Sequence, residues 1–166
     1  MLISKITEAT VDYLSKQIEA GADVVKLFDS WAGSLPGFLV EKYSLKPMKE
    51  IAERLKGIFP DVQVIVFPRG VGPHYTKFSQ ISAFDCVALD SNLPLPWAKE
   101  NVQKNIVVQG NLDPSFLVSG GRMMIEEIQN IKKMFSDGGH IFNLGHGITP
   151  NADIKNVETL IDTLHK

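Results

Sequence analysis

Apolar residues fall along the chain in two alternating arrangements: short continuous runs of strand length, and longer stretches in which they recur every three or four residues. Val11, Leu14 and Ile18 have the helical spacing, with Thr7 or a near neighbour able to cap that helix and Gly21 to stop it. Residues 24–28 form a first strand, which gives way abruptly to Asp29-Ser30-Trp31-Ala32-Gly33. A loop is expected through Pro36-Gly37, after which Pro47 opens a helix with Ile51, Leu55 and Ile58 on one face, ended by Pro60. The second strand, 62–67, closes in Pro68-Arg69-Gly70, and a short helical stretch over 74–81 leads to the third, 86–89. Leu95, Trp97 and Ala98 begin another helix before the fourth strand, 106–108, and Asp113-Pro114 has the form of an N-cap followed by a first helical residue. Met124, Ile128, Ile131 and Phe135 line a longer helix. The run 140–144, between Gly138-Gly139 and Gly145, predicts a short buried fifth strand. Beyond His146, Pro150 and Asn151 precede a last helix carrying Val157, Leu160, Ile161 and Leu164.

Strands that alternate with helices imply right-handed βα units on a parallel sheet, so the fold class is α/β. The sequence shows no internal repeat or interdomain linker, and residues 1–166 are expected to form one domain. Asp29, Ser30, Arg69, Asp90, Asn111, Asp113 and His146 all fall at or just past a strand's C-terminal end. That is the edge where barrels and open α/β sheets place their sites. Polar turn residues also belong at strand ends for purely structural reasons, and Asp113 has the simpler explanation of a helix cap.

Composition narrows the chemistry. The formal net charge is -2, with 17 basic against 19 acidic residues in no long block, which gives no basic footprint for nucleic acid. A single cysteine, Cys86, excludes an internal disulfide and a thiolate zinc cluster within one chain. It is expected to be a buried filler. No apolar stretch approaches the roughly 18 residues of a membrane span, and residues 1–16 carry Lys5, Glu8, Asp12 and Lys16 rather than a signal-peptide core. The expected location is therefore cytoplasmic, with no membrane partner. There is no Gly-x-Gly-x-x-Gly after a strand and no Walker loop, and Ser30 lacks a Gly-x-Ser-x-Gly elbow. The remaining reading is a cofactor-free cleft in which Ser30, Arg69, His146 and turn amides bind carboxylates or other oxyanions.

Three segments carry a family resemblance: Phe28-Asp29-Ser30-Trp31-Ala32-Gly33, Gln109-Gly110-Asn111-Leu112-Asp113-Pro114 and Ile141-Phe142-Asn143-Leu144-Gly145-His146-Gly147-Ile148. They resemble signature segments of uroporphyrinogen decarboxylase, in that family's order and on strand ends. The resemblance runs through essentially the whole chain but matches only the C-terminal half of the family's, beginning just before the fourth barrel strand. It implies a partial (β/α)8 TIM barrel, about the last five βα units, with parallel strands. It also implies a homodimeric enzyme without metal or organic cofactor that converts uroporphyrinogen III to coproporphyrinogen III in haem biosynthesis by removing acetate carboxyl groups. Ser30 matches the family's substrate-contacting hydroxyl and His146 its substrate-contacting histidine.

The family's catalytic aspartate, its arginine-rich segment and a substrate-contacting tyrosine belong to the other half, so the resemblance assigns no catalytic residue here. The partner is then either that N-terminal half or a second copy, and the chain alone is expected to be inactive. Two alternatives stand beside this reading. One is an inactive, self-associating remnant. The other is a related zinc-dependent methyltransferase, disfavoured because the second strand ends in Phe67-Pro68-Arg69-Gly70 without the His and Cys ligands of such enzymes.

Overall fold

The computed structural model describes residues 2–165. Its strands are parallel and their order follows the chain, β1-β2-β3-β4-β5. The chain divides into two compact units, the first running to Val87 and the second starting at Ala88.

In the first unit, α1 (Leu2–Glu19) buries Thr7, Val11 and Leu14. The helix begins well before Thr7, so Thr7 is a buried interior residue and not the expected cap. β1 (Val24–Asp29) alternates, with Val25 and Leu27 buried and Phe28 65% exposed. The chain is helical again in α2 (Gly37–Val40), a π-helical turn over Glu41–Leu45 and α3 (Lys46–Ile58). Pro47 does lie in the first turn of α3, but the expected loop ahead of it is helix. The physical reason is the π turn, in which the Lys46 N–H donates to the Glu41 carbonyl. This shifts the hydrogen-bond register just before a residue that has no N–H to give. Ile51 and Leu55 are buried, whereas Ile58 is exposed.

β2 (Gln63–Pro68) is buried along nearly its full length and pairs with β1 in register from Val24 opposite Gln63 to Asp29 opposite Pro68. A short α4 (Tyr75–Phe78) follows, and β3 (Cys86–Ala88) joins β2 at Ile65 opposite Cys86. Cys86 is buried, and desolvation pushes its thiol up to about 12, so it stays protonated and packs as an apolar group.

In the second unit, α5 (Leu95–Ala98) runs into a π-helical turn over Lys99–Gln103, and β4 (Val107–Gln109) follows. The Leu89 N–H donates to the Gln109 carbonyl at 2.7 Å. α6 (Ser115–Ser119) precedes α7 (Gly121–Met134), whose Met124, Ile128 and Ile131 are buried, as is Phe135 just beyond it. This is the apolar face that the spacing predicts. β5 (His140–Ile141) pairs with β4 for only two residues and is not buried, Ile141 being 43% exposed. The expected strand 140–144 is thus shortened and half-solvated. Its order places it at an end of the strand sequence with β4 on one side, so only a bridge from Leu144 to Leu112 continues the pairing. α8 (Ile154–Leu164) starts later than Pro150-Asn151 suggest, because the Asp153 side chain accepts from the Lys155 N–H and supplies the cap.

Candidate functional site

Ser30 stands in the turn immediately after β1, partly exposed, beside Trp31, which is 77% exposed. Two hydrogen bonds fix that turn against the loop after β2: the Arg69 N–H donates to the Asp29 carbonyl at 3.1 Å, and the Gly33 N–H donates to the Arg69 carbonyl at 2.9 Å. Gly33 has to be glycine, since a Cβ there would lie 2.6 Å from the Gly70 carbonyl oxygen. Gly70 in turn has φ +78°, a conformation that suits a residue without a Cβ. The first unit therefore brings Asp29, Ser30 and Arg69 together on one cross-tied pair of loops.

Lys26 was not singled out by the apolar run that predicts β1. Its Nζ lies 4.8 Å from the Phe28 ring centroid and 5.2 Å from that of Phe67. Burial holds its pKa below the usual lysine range, with the nearby Cys86 acting in the opposite sense.

His146 is exposed in the bend after β5. The residue before it anchors the bend: the Gly145 N–H donates to the Leu112 carbonyl at 2.7 Å, and the Leu112 N–H donates to the Asn143 carbonyl at 3.1 Å. A Cβ on Gly145 would collide with the backbone nitrogen of Ser91, so a larger residue there would push the His146 bend off the turn after β3. Asn111 ties the same turn from below. Its Nδ2 donates to the carbonyls of Asp90 at 2.9 Å and Leu93 at 3.1 Å. Those two bonds fix the amide's orientation, and its buried Oδ1 has no hydrogen-bond partner. Asn111 lines a cavity of about 250 Å³ together with Ser91, Asp113 and Glu127.

Asp113 does the work of a cap. Its Oδ1 accepts from the Ser115 N–H at 2.8 Å, although the regular helix begins one residue later than expected, after Pro114. Hydrogen bonds from the Ser115 hydroxyl and N–H, and a further one from Ser91, hold its carboxyl below the ordinary aspartate range. His140, in contrast, is turned inward. Its Nε2 lies 2.7 Å from the Gly110 carbonyl oxygen, which makes it the protonated nitrogen, and its ring packs 4.8 Å from that of Phe135. Burial lowers its pKa, opposed by the Gly110 bond, so the neutral ring is favoured.

The second unit thus gathers Asp90, Ser91, Asn111 and Asp113 around the turn that carries the His146 bend. Among the described residues, no group of three or more His, Cys, Asp or Glu side chains is placed to hold a metal ion. No helix among them is long and apolar enough to cross a membrane.

The family model described as Uroporphyrinogen decarboxylase (URO-D) matches residues 1–166. The chain is 53% identical over 163 residues to the uroporphyrinogen decarboxylase of Paracoccus denitrificans (strain Pd 1222), a match covering 98% of this chain and 48% of that protein. It is 52% identical over 165 residues to that of Ruegeria pomeroyi, covering 99% of this chain and 48% of the relative. The chain therefore spans about half the length of the curated relatives it matches. Among solved structures, a methyltransferase from Methanosarcina mazei superposes with a TM-score of 0.76 at 22% identity, over 95% of this chain and 46% of that one. At that identity the likeness concerns the fold alone, and it fits a partial barrel of parallel strands.

Proposed function

This chain belongs to the uroporphyrinogen decarboxylase family, and from that membership we propose that it is the C-terminal, substrate-holding half of an enzyme converting uroporphyrinogen III to coproporphyrinogen III. The observation that carries the reading is the match to decarboxylases at about half identity over nearly the whole chain. In this reading Ser30 donates its hydroxyl to one substrate carboxylate and His146 offers its imidazole to another. The glycine contacts at Gly33 and Gly145 supply rigid backbone beneath both residues, which is what a polar contact needs if it is to orient a ligand. The exposed ring of Trp31 beside Ser30 adds an apolar surface suited to a pyrrole.

The chemistry asks for more than this half carries. Loss of carbon dioxide from a pyrrole acetate is helped by protonating the ring, and the resulting cation needs a carboxylate preorganised against it. Asp113 is committed to its cap, and the resemblance gives that role to an aspartate of the other half. Arg54, Arg69 and Arg122 are this chain's only arginines, and only Arg69 follows a strand, so the clamp for a polycarboxylate also has to come from elsewhere. The partner is accordingly the N-terminal half, with the completed barrel acting as a cytoplasmic homodimer without an organic cofactor or metal.

Porphyrin binding to the enzyme completed with that half tests the assignment. Ser30→Ala and His146→Ala should each weaken uroporphyrin binding about tenfold or more, as loss of a hydrogen bond to a charged group does, with the urea midpoint unchanged. Unchanged affinity in both variants would remove these residues from the site.

A further inference from the structure

We infer that Lys26 binds a carboxylate of the substrate, its ammonium held one pleat beneath Ser30 as a further anchor for the acid arms of the tetrapyrrole. For the identity of the ligand this rests on the decarboxylase reading, which it deepens.

Strand geometry places the residue. Side chains two apart on a strand share a face, so Lys26 and Phe28 lie together, and Ser30 follows them in the turn at the strand's end. Val25 and Leu27, which alternate with them, are buried, whereas Phe28 is largely exposed, so this is the open face of β1. The parallel register sets Ile65 opposite Lys26 and Phe67 opposite Phe28. The bond from the Arg69 N–H to the Asp29 carbonyl carries the pairing onward, so Ser30 and Arg69 come next after the two phenylalanines.

The ammonium does not stay at the level of its own Cα. Nζ lies 4.8 Å from the Phe28 ring centroid and 5.2 Å from that of Phe67, so the side chain has climbed toward the rim to the height of the next pair. The two rings meet edge to face with centroids 6.1 Å apart and hold the cation against both. From that height to Ser30 is one further pleat, roughly 7 Å. A tetrapyrrole of this class carries acid arms on every ring, so one held by Ser30 through one carboxylate brings another within reach of Lys26.

Electrostatics gives the reason for a lysine at this position. A half-buried ammonium is costly, aromatic contact offsets the cost only in part, and an apolar residue would suit a face shared with Ile65 and Phe67 better. Burial lowers the Lys26 pKa, and a carboxylate arriving beside it restores the charged form where water screens the pair poorly. Arg69 is the only arginine that follows a strand, and Lys26 adds a second cation on the Ser30 side of the site.

The check is a titration of uroporphyrin III into the completed enzyme, followed by porphyrin fluorescence at several salt concentrations. Lys26→Met, which keeps a similar length and removes the charge, should bind about tenfold or more weaker than the parent, as loss of a hydrogen bond to a charged group does, with a flatter salt dependence. Its urea midpoint should be equal to the parent's or higher, because the variant no longer buries a charge. Lys26→Arg keeps the charge and should bind within about threefold of the parent. Parent-like affinity in Lys26→Met would overturn the inference, as would an equal loss in Lys26→Arg, or a loss accompanied by a lowered midpoint. Failure of the parent enzyme itself to bind uroporphyrin would defeat the decarboxylase reading and the inference with it. Binding that Ser30→Ala weakens and Lys26→Met leaves intact would defeat the inference alone.

Discussion

Gly33 and Gly70 meet backbone to backbone, so closely that a Cβ on Gly33 would lie 2.6 Å from the Gly70 carbonyl oxygen and 2.9 Å from its Cα. The atoms in the way are main chain and cannot rotate aside. Gly33→Ala should therefore part the loops that follow β1 and β2, at a cost of about 1–3 kcal/mol, the usual range for overpacking. Urea unfolding checks the cost. A midpoint equal to that of the parent chain would mean the loops are not held together by this contact.

His140 makes stability depend on pH in a definite direction. Its folded pKa lies below the ordinary 6.5 because burial disfavours the charged ring. The unfolded chain therefore takes up the proton first as pH falls. The stability contributed by the neutral ring is complete above about pH 6.5 and is lost between there and the lowered folded value, at no more than about 1.4 kcal/mol per pH unit. His140→Gln keeps a donor for Gly110 and removes the titration. The difference in unfolding free energy between parent and variant should shrink from pH 7 to 5, and a difference independent of pH would contradict the assignment.

Asp113→Ala removes the acceptor of the Ser115 N–H. Loss of a cap of this kind costs about 1 kcal/mol, within a range of roughly 0.5–2. Because the carboxyl is held below its ordinary range, the stability it gives is present above about pH 4 and fades as pH falls through the lowered value. Parent and variant should thus converge in acid. A gap in thermal stability that persists there would point to packing and not to the cap.

The alternation of strand and helix was legible because each apolar run is bracketed by turn residues, and because Met124, Ile128 and Ile131 keep a strict helical spacing. The helical stretch from Gly37 was not, since Pro36, Gly37 and Pro47 all read as breakers while the π turn that accommodates Pro47 has no signature of its own. Strand five lost its apparent length because its residues are half-exposed and one-sided in their pairing, which an apolar run cannot reveal. At the candidate site, the strand ends were visible from the pattern and pointed to Ser30, Arg69 and His146 as groups suited to oxyanions, while the narrower expectation of substrate contact at Ser30 and His146 came only through resemblance. The requirement for glycine at position 145 depends on Ser91, far away in the chain, and the partnerless hydroxyl of Ser44 depends on burial, so neither leaves a local trace.

The central claim, that this chain holds substrate but needs the other half for chemistry, is tested most directly by feeding uroporphyrinogen III to the chain alone and to the chain mixed with a separately expressed N-terminal half. Losing one preorganised charge commonly costs about a hundredfold to a thousandfold in rate, and this chain has only Arg54, Arg69 and Arg122 to offer a polycarboxylate. Turnover near background for the chain alone, with coproporphyrinogen III appearing on mixing, is the predicted result. Coproporphyrinogen III formed by the chain alone at an enzyme-like rate, or a stable one-to-one mixture that stays inactive, would contradict it.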